Sequence, residues 1–115
     1  MEDDIKLSNE QEQAITNTRN WLMQQIDQTN DLEIEKVDRY CNLLNIFYYL
    51  DNEIYVRGPV IEVGNGNQTF VKPNPCLAEK NKINGSLLAI EKSFNLERRV
   101  EEKRKAEASK GVELT

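Results

Sequence analysis

The stretch from Asp31 to Val56 leaves the chain least freedom in how it can fold. Val37, Tyr40, Cys41, Leu44, Phe47 and Tyr48 recur at steps of three and four, which in an α-helix sets them on one face. Leu43, Ile46, Leu50 and Ile54 follow the same spacing on a neighbouring face. A surface helix needs one apolar stripe about 100° wide, and this one carries nearly two. Both sides therefore need cover, from the rest of a small domain or from a second copy of the protein. The expected oligomer interface is Leu43, Ile46, Phe47, Leu50 and Ile54.

A chain of 115 residues suits one domain with one core. Residues 1–7 are acidic and expected to be disordered. Ser8 and Gln11 have the spacing of a capping box, in which hydroxyl and amide satisfy free N–H groups of a first helical turn. The helix they open is expected to run to about Asp27, with Ile15, Thr18, Leu22 and Ile26 inward and Ala14 and Trp21 beside them. Trp21 either offers a stacking platform to a base or anchors this helix against the next; the second is the more ordinary use of a tryptophan. Asn30, with Glu33 three residues on, can cap the long helix. The break between the two helices is short, so they are expected to lie antiparallel.

Arg57-Gly58-Pro59 ends the long helix, since proline cannot continue it. Val60–Val63 and Gln68–Val71 then flank Gly64-Asn65-Gly66-Asn67 and predict a β-hairpin. A type I′ turn at Asn65-Gly66 would pair Val63 with Gln68, Glu62 with Thr69, Ile61 with Phe70 and Val60 with Val71. No Gly-Lys-Ser/Thr follows these glycines, which argues against a nucleotide-phosphate loop. Because a lone hairpin is marginal in water, it is expected to pack on the helices or on a neighbouring subunit. Asn74 can cap a third helix with Pro75 at its first position. That helix is expected to reach about Phe94, with Leu77, Ile83, Leu87, Ile90 and Phe94 inward. Gly85 inside it costs about 1 kcal/mol relative to alanine, which suggests a close backbone crossing there. The expected fold is mainly α: an antiparallel helix pair with a long central helix, a short hairpin at 60–71 and a third helix, together spanning 8–96. Residues 97–115 read as a charged helical extension with a flexible tail, loosening after Ser109.

Chemistry is sparse. The chain has no histidine, so the commonest general base near neutral pH is missing. Its two cysteines, Cys41 and Cys76, are far apart and read as small buried apolar groups. No Cys-x-x-Cys pair is present for zinc, and no nucleophile and base stand at a suggestive spacing. No enzyme activity, metal or cofactor is expected. The longest apolar runs fall well short of the ~18 residues of a membrane span, and the acidic Met1-Glu2-Asp3-Asp4 is unlike a signal peptide.

The net charge of −5 opposes a generic nucleic-acid coat and an anionic membrane surface. Charge is unevenly spread, however. Residues 1–35 hold nine acidic and two basic side chains, a net of −7, while residues 36–115 hold eleven and thirteen, a net of +2. The best basic cluster is Arg98, Arg99, Lys103, Arg104 and Lys105. Interleaved Glu97, Glu101, Glu102 and Glu107 allow it to be a solvated helix with pairs such as Glu101–Lys105; contact with DNA and docking to a partner protein are the alternatives. Lys72, Lys80, Lys82 and Lys92 are secondary candidates for DNA.

From Val60 to Leu96 the order and spacing of features resemble the small terminase subunits of siphophages whose packaging genes neighbour an HNH endonuclease. The residues that carry the likeness are the hairpin with Gly64-Asn65-Gly66, the run Phe70-Val-Lys-Pro-Asn-Pro75, Glu79-Lys-Asn-Lys-Ile83, and Leu87-Leu88 through Phe94-Asn95-Leu96. The glutamine-rich first helix and Asp38-Arg39-Tyr40-Cys41 also fit, so the likeness covers most of residues 10–96. It implies a helical, non-enzymatic protein of the host cytoplasm that assembles into homo-oligomeric rings. It further implies recognition of viral double-stranded DNA at a cos-type packaging site and delivery to the terminase large subunit, with the HNH endonuclease as a further partner. By the same likeness Val112 and Leu114 are candidates for docking the large subunit. A helix-turn-helix signature is missing: the first linker has no tight glycine turn, and the long helix exceeds a recognition helix. Two further readings are a helical adaptor that never touches DNA and a small hydrolase.

Overall fold

The structure, a computed structural model, describes residues 5–113, with the backbone alone for 111–113. Its elements are α1 (Asn9–Gln25), α2 (Asp31–Arg57), β1 (Val60–Asn65), β2 (Gln68–Pro73), α3 (Pro75–Phe94) and α4 (Leu96–Glu113). The fold is mainly helical with one two-stranded antiparallel hairpin. Among the described residues no helix is long and apolar enough to cross a membrane.

The capping box opens α1 as its spacing predicts. Ser8 Oγ accepts from the Gln11 N–H at 3.1 Å, and Gln11 Oε1 accepts from the Ser8 N–H at 2.9 Å. The helix stops at Gln25, two residues short of the expected Asp27, because Ile26 is already extended. Asp27 instead accepts from the backbone N–H and the hydroxyl of Thr29 at 3.0 and 2.6 Å, which hold its carboxyl below the usual carboxylate range. Asn30 caps α2, accepting from the Leu32 N–H at 3.0 Å. Glu33 does not complete a second capping box; it reaches back to the Asp27 N–H at 2.7 Å.

Helix α2 lies between α1 and α3 and is antiparallel to both. Gln11 at the start of α1 donates to Asn52 near the end of α2 at 2.9 Å. Tyr40, early in α2, donates to Glu91 late in α3 at 2.6 Å, while Lys80 and Asp51 meet at the other end at 2.5 Å. Buried apolar residues gather where α1 ends, α2 begins and α3 ends: Leu22, Ile26, Val37, Tyr40, Cys41, Leu87 and Phe94. Phe94 and Val37 are fully enclosed. Phe94 takes Tyr40 edge-on, with ring centroids 6.3 Å apart, and Lys36 Nζ lies 5.0 Å from its ring centre.

The molecule is a rod of 81 × 26 × 24 Å with a radius of gyration of 20.4 Å, against about 13 Å for a compact domain near this size. At ordinary rises α2 spans about 40 Å, α4 about 27 Å and the hairpin about 20 Å. Laid nearly end to end, these lengths account for the rod. The hairpin stands beyond one end of α2, and α4 leaves the other.

Three local expectations need correction. The hairpin turns at Gly66-Asn67, so that Asn65 faces Gln68, Val63 faces Phe70, Ile61 faces Lys72 and Val60 faces Pro73. Gly66 alone has positive φ (64°), the pattern of a type II′ turn with glycine first. A type I′ turn would have required the left-handed region at two positions. Second, a Cβ at Gly85 would meet nothing within 4 Å, so no backbone crosses this glycine among the described residues. Third, α4 continues to Glu113, past the expected loosening at Ser109. Its i,i+3 and i,i+4 ion pairs support a helix that packs little on the rest. Asn95, left-handed at φ 54°, separates α4 from α3.

Candidate assembly and nucleic-acid surfaces

The basic cluster of α4 comes apart in three dimensions. Arg99 turns inward, where its Nη1 donates to the Gln25 carbonyl at 3.0 Å, its Nε to the Phe94 carbonyl and its Nη2 to Glu33 Oε1. One guanidinium thus ties the ends of α1 and α3 and the start of α2 to the root of α4. Arg99 is a joint, its planar fork already occupied. The Arg99 hydrogen bond, with the Asp27 N–H second, holds the Glu33 carboxyl below its usual range. A run of basic letters carries no sign of which member points inward. Glu33 was the available hint, since a carboxylate in a helix's first turn can serve a distant cation as well as a cap.

The other cations of α4 face water in several directions. Arg98 pairs with Glu102 at 3.0 Å, and Arg104 pairs with Glu101, which displaces the expected Glu101–Lys105 pair. Lys103 and Lys105 make no hydrogen bond or ion pair among the described residues. At 100° per residue, Arg98 and Lys105 share one side, Lys103 and Lys110 a second, and Arg104 a third. Glutamates lie between them, so α4 presents no continuous basic stripe. On α3, Lys82 pairs with Glu79 at 3.3 Å, and Lys80 is committed to Asp51 and to the Phe47 ring. Lys72 stands on the hairpin, exposed and without an ion pair among the described residues.

The expected oligomer interface divides similarly. Leu43 and Phe47 pack against the core of their own chain, and Leu50 and Ile54 are half-buried. Of that set Ile46 is the exposed member, at 37%. More apolar surface lies open elsewhere: Leu32 at the start of α2, Tyr55 (91% exposed) and Val56 at its end, Val60, Phe70 and Val71 on the hairpin, and Leu77 and Leu88 on α3. Trp21 is 43% exposed and lies outside the core cluster, so the expected anchor between α1 and α2 is not what holds that pair. Val112 and Leu114 cannot be placed: Leu114 and the side chain of Val112 lie outside the described residues.

The hairpin is fixed at its base by Asn74, which is 4% exposed. Its backbone N–H donates to the Pro59 carbonyl at 2.8 Å, its Nδ2 to the Gly58 carbonyl at 3.0 Å, and its Oδ1 accepts from the Cys76 N–H at 2.9 Å. The last of these is the N-cap of α3 that the sequence predicts. Strand alternation sorts the side chains by face. One face holds Ile61, Val63 and Asn65 opposite Lys72, Phe70 and Gln68; the other holds Val60, Glu62 and Gly64 opposite Pro73, Val71 and Thr69. All of the hairpin is exposed except Ile61 and Val63, which are half-buried.

Cys41 is buried and Cys76 half-buried, both as free thiols, and burial pushes both thiols above their ordinary range, away from thiolate reactivity. No group of three metal-ligating side chains occurs among the described residues. A cleft of about 600 Å³ at the α3–α4 joint is lined by Leu88, Glu91, Lys92, Asn95, Leu96, Glu97 and Arg98, and is open to solvent. Comparison with protein-family models, with curated proteins and with solved structures finds no match to this chain.

Proposed function

We propose that this chain is a small terminase subunit: a protein that assembles into a ring, recognises viral DNA at its packaging site, and delivers it to the large subunit that supplies ATPase and nuclease. The observation that carries the assembly is the apolar surface left open along the rod. Buried apolar residues concentrate at one end, while Leu32, Ile46, Tyr55, Val56, and Val60 and Val71 on one face of the hairpin, stay exposed. Exposed apolar surface of this kind is what a binding face offers. Unlike patches at the two ends of α2 suit a heterologous interface, in which different surfaces meet and close a ring. The identity of the assembly rests on the resemblance of Val60–Leu96 to terminase small subunits, with the large subunit and the HNH endonuclease as protein partners.

Duplex-DNA binding by the purified protein tests this reading. Binding should weaken steeply with added salt, because phosphate contacts release counterions, and the protein alone should turn over no ATP. Absence of duplex binding at low salt in an assembled sample would remove the DNA role. One feature favours a second reading, a protein adaptor: Arg98, Arg99 and Arg104 are paired within the chain. An adaptor would assemble equally well and leave DNA untouched.

A further inference from the structure

Resting on the DNA-binding reading above, we infer that the hairpin, not α4, is the element that reads base sequence: its Asn65–Gln68–Phe70–Lys72 face enters the major groove of A·T-containing duplex DNA. A two-stranded ribbon fits that groove, about 12 Å wide. Here the ribbon is tied at its root by the Asn74 bonds to Gly58 and Pro59, and all of it except Ile61 and Val63 is exposed among the described residues.

Charge singles out this part of the chain. Residues 63–78 form the longest stretch without an acidic side chain, sixteen residues in a protein of net charge −5. Within the hairpin, register places Lys72 on the face of Asn65, Gln68 and Phe70, and places the one acid, Glu62, on the opposite face. A phosphate-lined groove therefore meets one cation and no anion on the first face.

Chemistry along that face is graded. Asn65 and Gln68 lie directly opposite each other beside the turn, exposed and without a side-chain hydrogen bond among the described residues. Carboxamides pair bidentately with adenine in the major groove. Two residues along from Gln68, Phe70 can meet a thymine methyl. Two further, about 13 Å from Gln68 at strand rise, Lys72 can reach a backbone phosphate. Base readers thus lie at the tip and a phosphate anchor at the root, the division of labour that positions a reader without specifying sequence.

The test uses the full-length protein with two labelled duplexes of equal length, alternating A·T and alternating G·C. The A·T duplex should bind at least about fivefold more tightly, the discrimination one good amide–adenine pair supplies. Asn65→Ala with Gln68→Ala should bring the ratio close to one while weak binding persists. Replacing adenine by deaza-adenine, which lacks the major-groove ring nitrogen, should lower wild-type affinity and leave the double variant unmoved. Lys72→Gln should weaken both duplexes equally and reduce the salt slope by about one contact. An unchanged ratio in the double variant, or indifference to deaza-adenine, overturns the hairpin as reader while leaving DNA binding standing. No binding to either duplex ends both proposals. A change of native mass in the double variant would mark the hairpin as an assembly element and overturn the inference.

Discussion

Asn74 donates from Nδ2 to the carbonyl of Gly58 at 3.0 Å, across sixteen residues, and so closes the two legs of the hairpin where α2 ends and α3 begins. Gly58 has φ 88°, a backbone state that glycine adopts at low cost. Helix stop, hairpin root and helix start are thereby one hydrogen-bonded knot. Asn74→Ala should lower stability in urea denaturation by about 1–3 kcal/mol, since the part-buried Gly58 carbonyl loses its donor and the Cys76 N–H its cap. Asn74→Asp keeps an oxygen for the Cys76 N–H but sets an anion against the Gly58 carbonyl, so it should not restore wild-type stability. Wild-type midpoints for both variants would show that the knot contributes nothing.

At the other end, Phe94 is enclosed by residues from three helices. Phe94→Ala should cost about 3–5 kcal/mol, the usual range for emptying an aromatic site. Tyr40→Phe removes only the hydroxyl that donates to Glu91, and should cost about 0.5–1.5 kcal/mol. Burial first, and the Glu91 hydrogen bond second, hold that hydroxyl protonated well above the ordinary tyrosine range. A smaller loss for Phe94→Ala than for Tyr40→Phe would contradict this placement of the core.

Gly85→Ala should stabilise the chain by about 0.5–1 kcal/mol, because a methyl there meets open space and alanine favours the helix. A destabilised variant would mean that something approaches this face. A stabilised variant of lower native mass would instead mean that a neighbouring copy packs on this face.

Glu33 makes stability depend on pH. Its folded carboxyl titrates below the ordinary value of 4.5, chiefly through Arg99. Its contribution is therefore full above the unfolded value and is lost as pH falls below about 4.5 toward the folded one. Glu33→Gln should flatten the acid limb of a stability–pH profile and leave the neutral-to-alkaline limb parallel to wild type. An unaltered acid limb would place the pH dependence elsewhere.

Much of the fold was legible because its signals are local. Ser8 with Gln11, Asn30 before α2, Gly58-Pro59 after it, and Asn74-Pro75 before α3 all act within four residues of themselves. What escaped was non-local. The hairpin's register turned on which one of the turn residues takes positive φ, and both Asn65-Gly66 and Gly66-Asn67 are good turn pairs. Arg99 carries no periodic mark that separates it from Arg98 or Lys103, since its partners are a carbonyl at Gln25 and a carboxylate at Glu33. The interface residues were half legible: periodicity finds apolar faces on α2, but it cannot say that Leu43 and Phe47 are covered by their own chain while Tyr55 and Val56 are not.

The proposal that copies of this chain assemble through that uncovered surface is tested most directly by native mass measured over a range of concentrations, with Ile46→Glu and Tyr55→Glu alongside. The account predicts one closed species of many subunits for the wild type, and smaller species for the variants with helical content retained. A wild-type protein that stays monomeric at every concentration would contradict it.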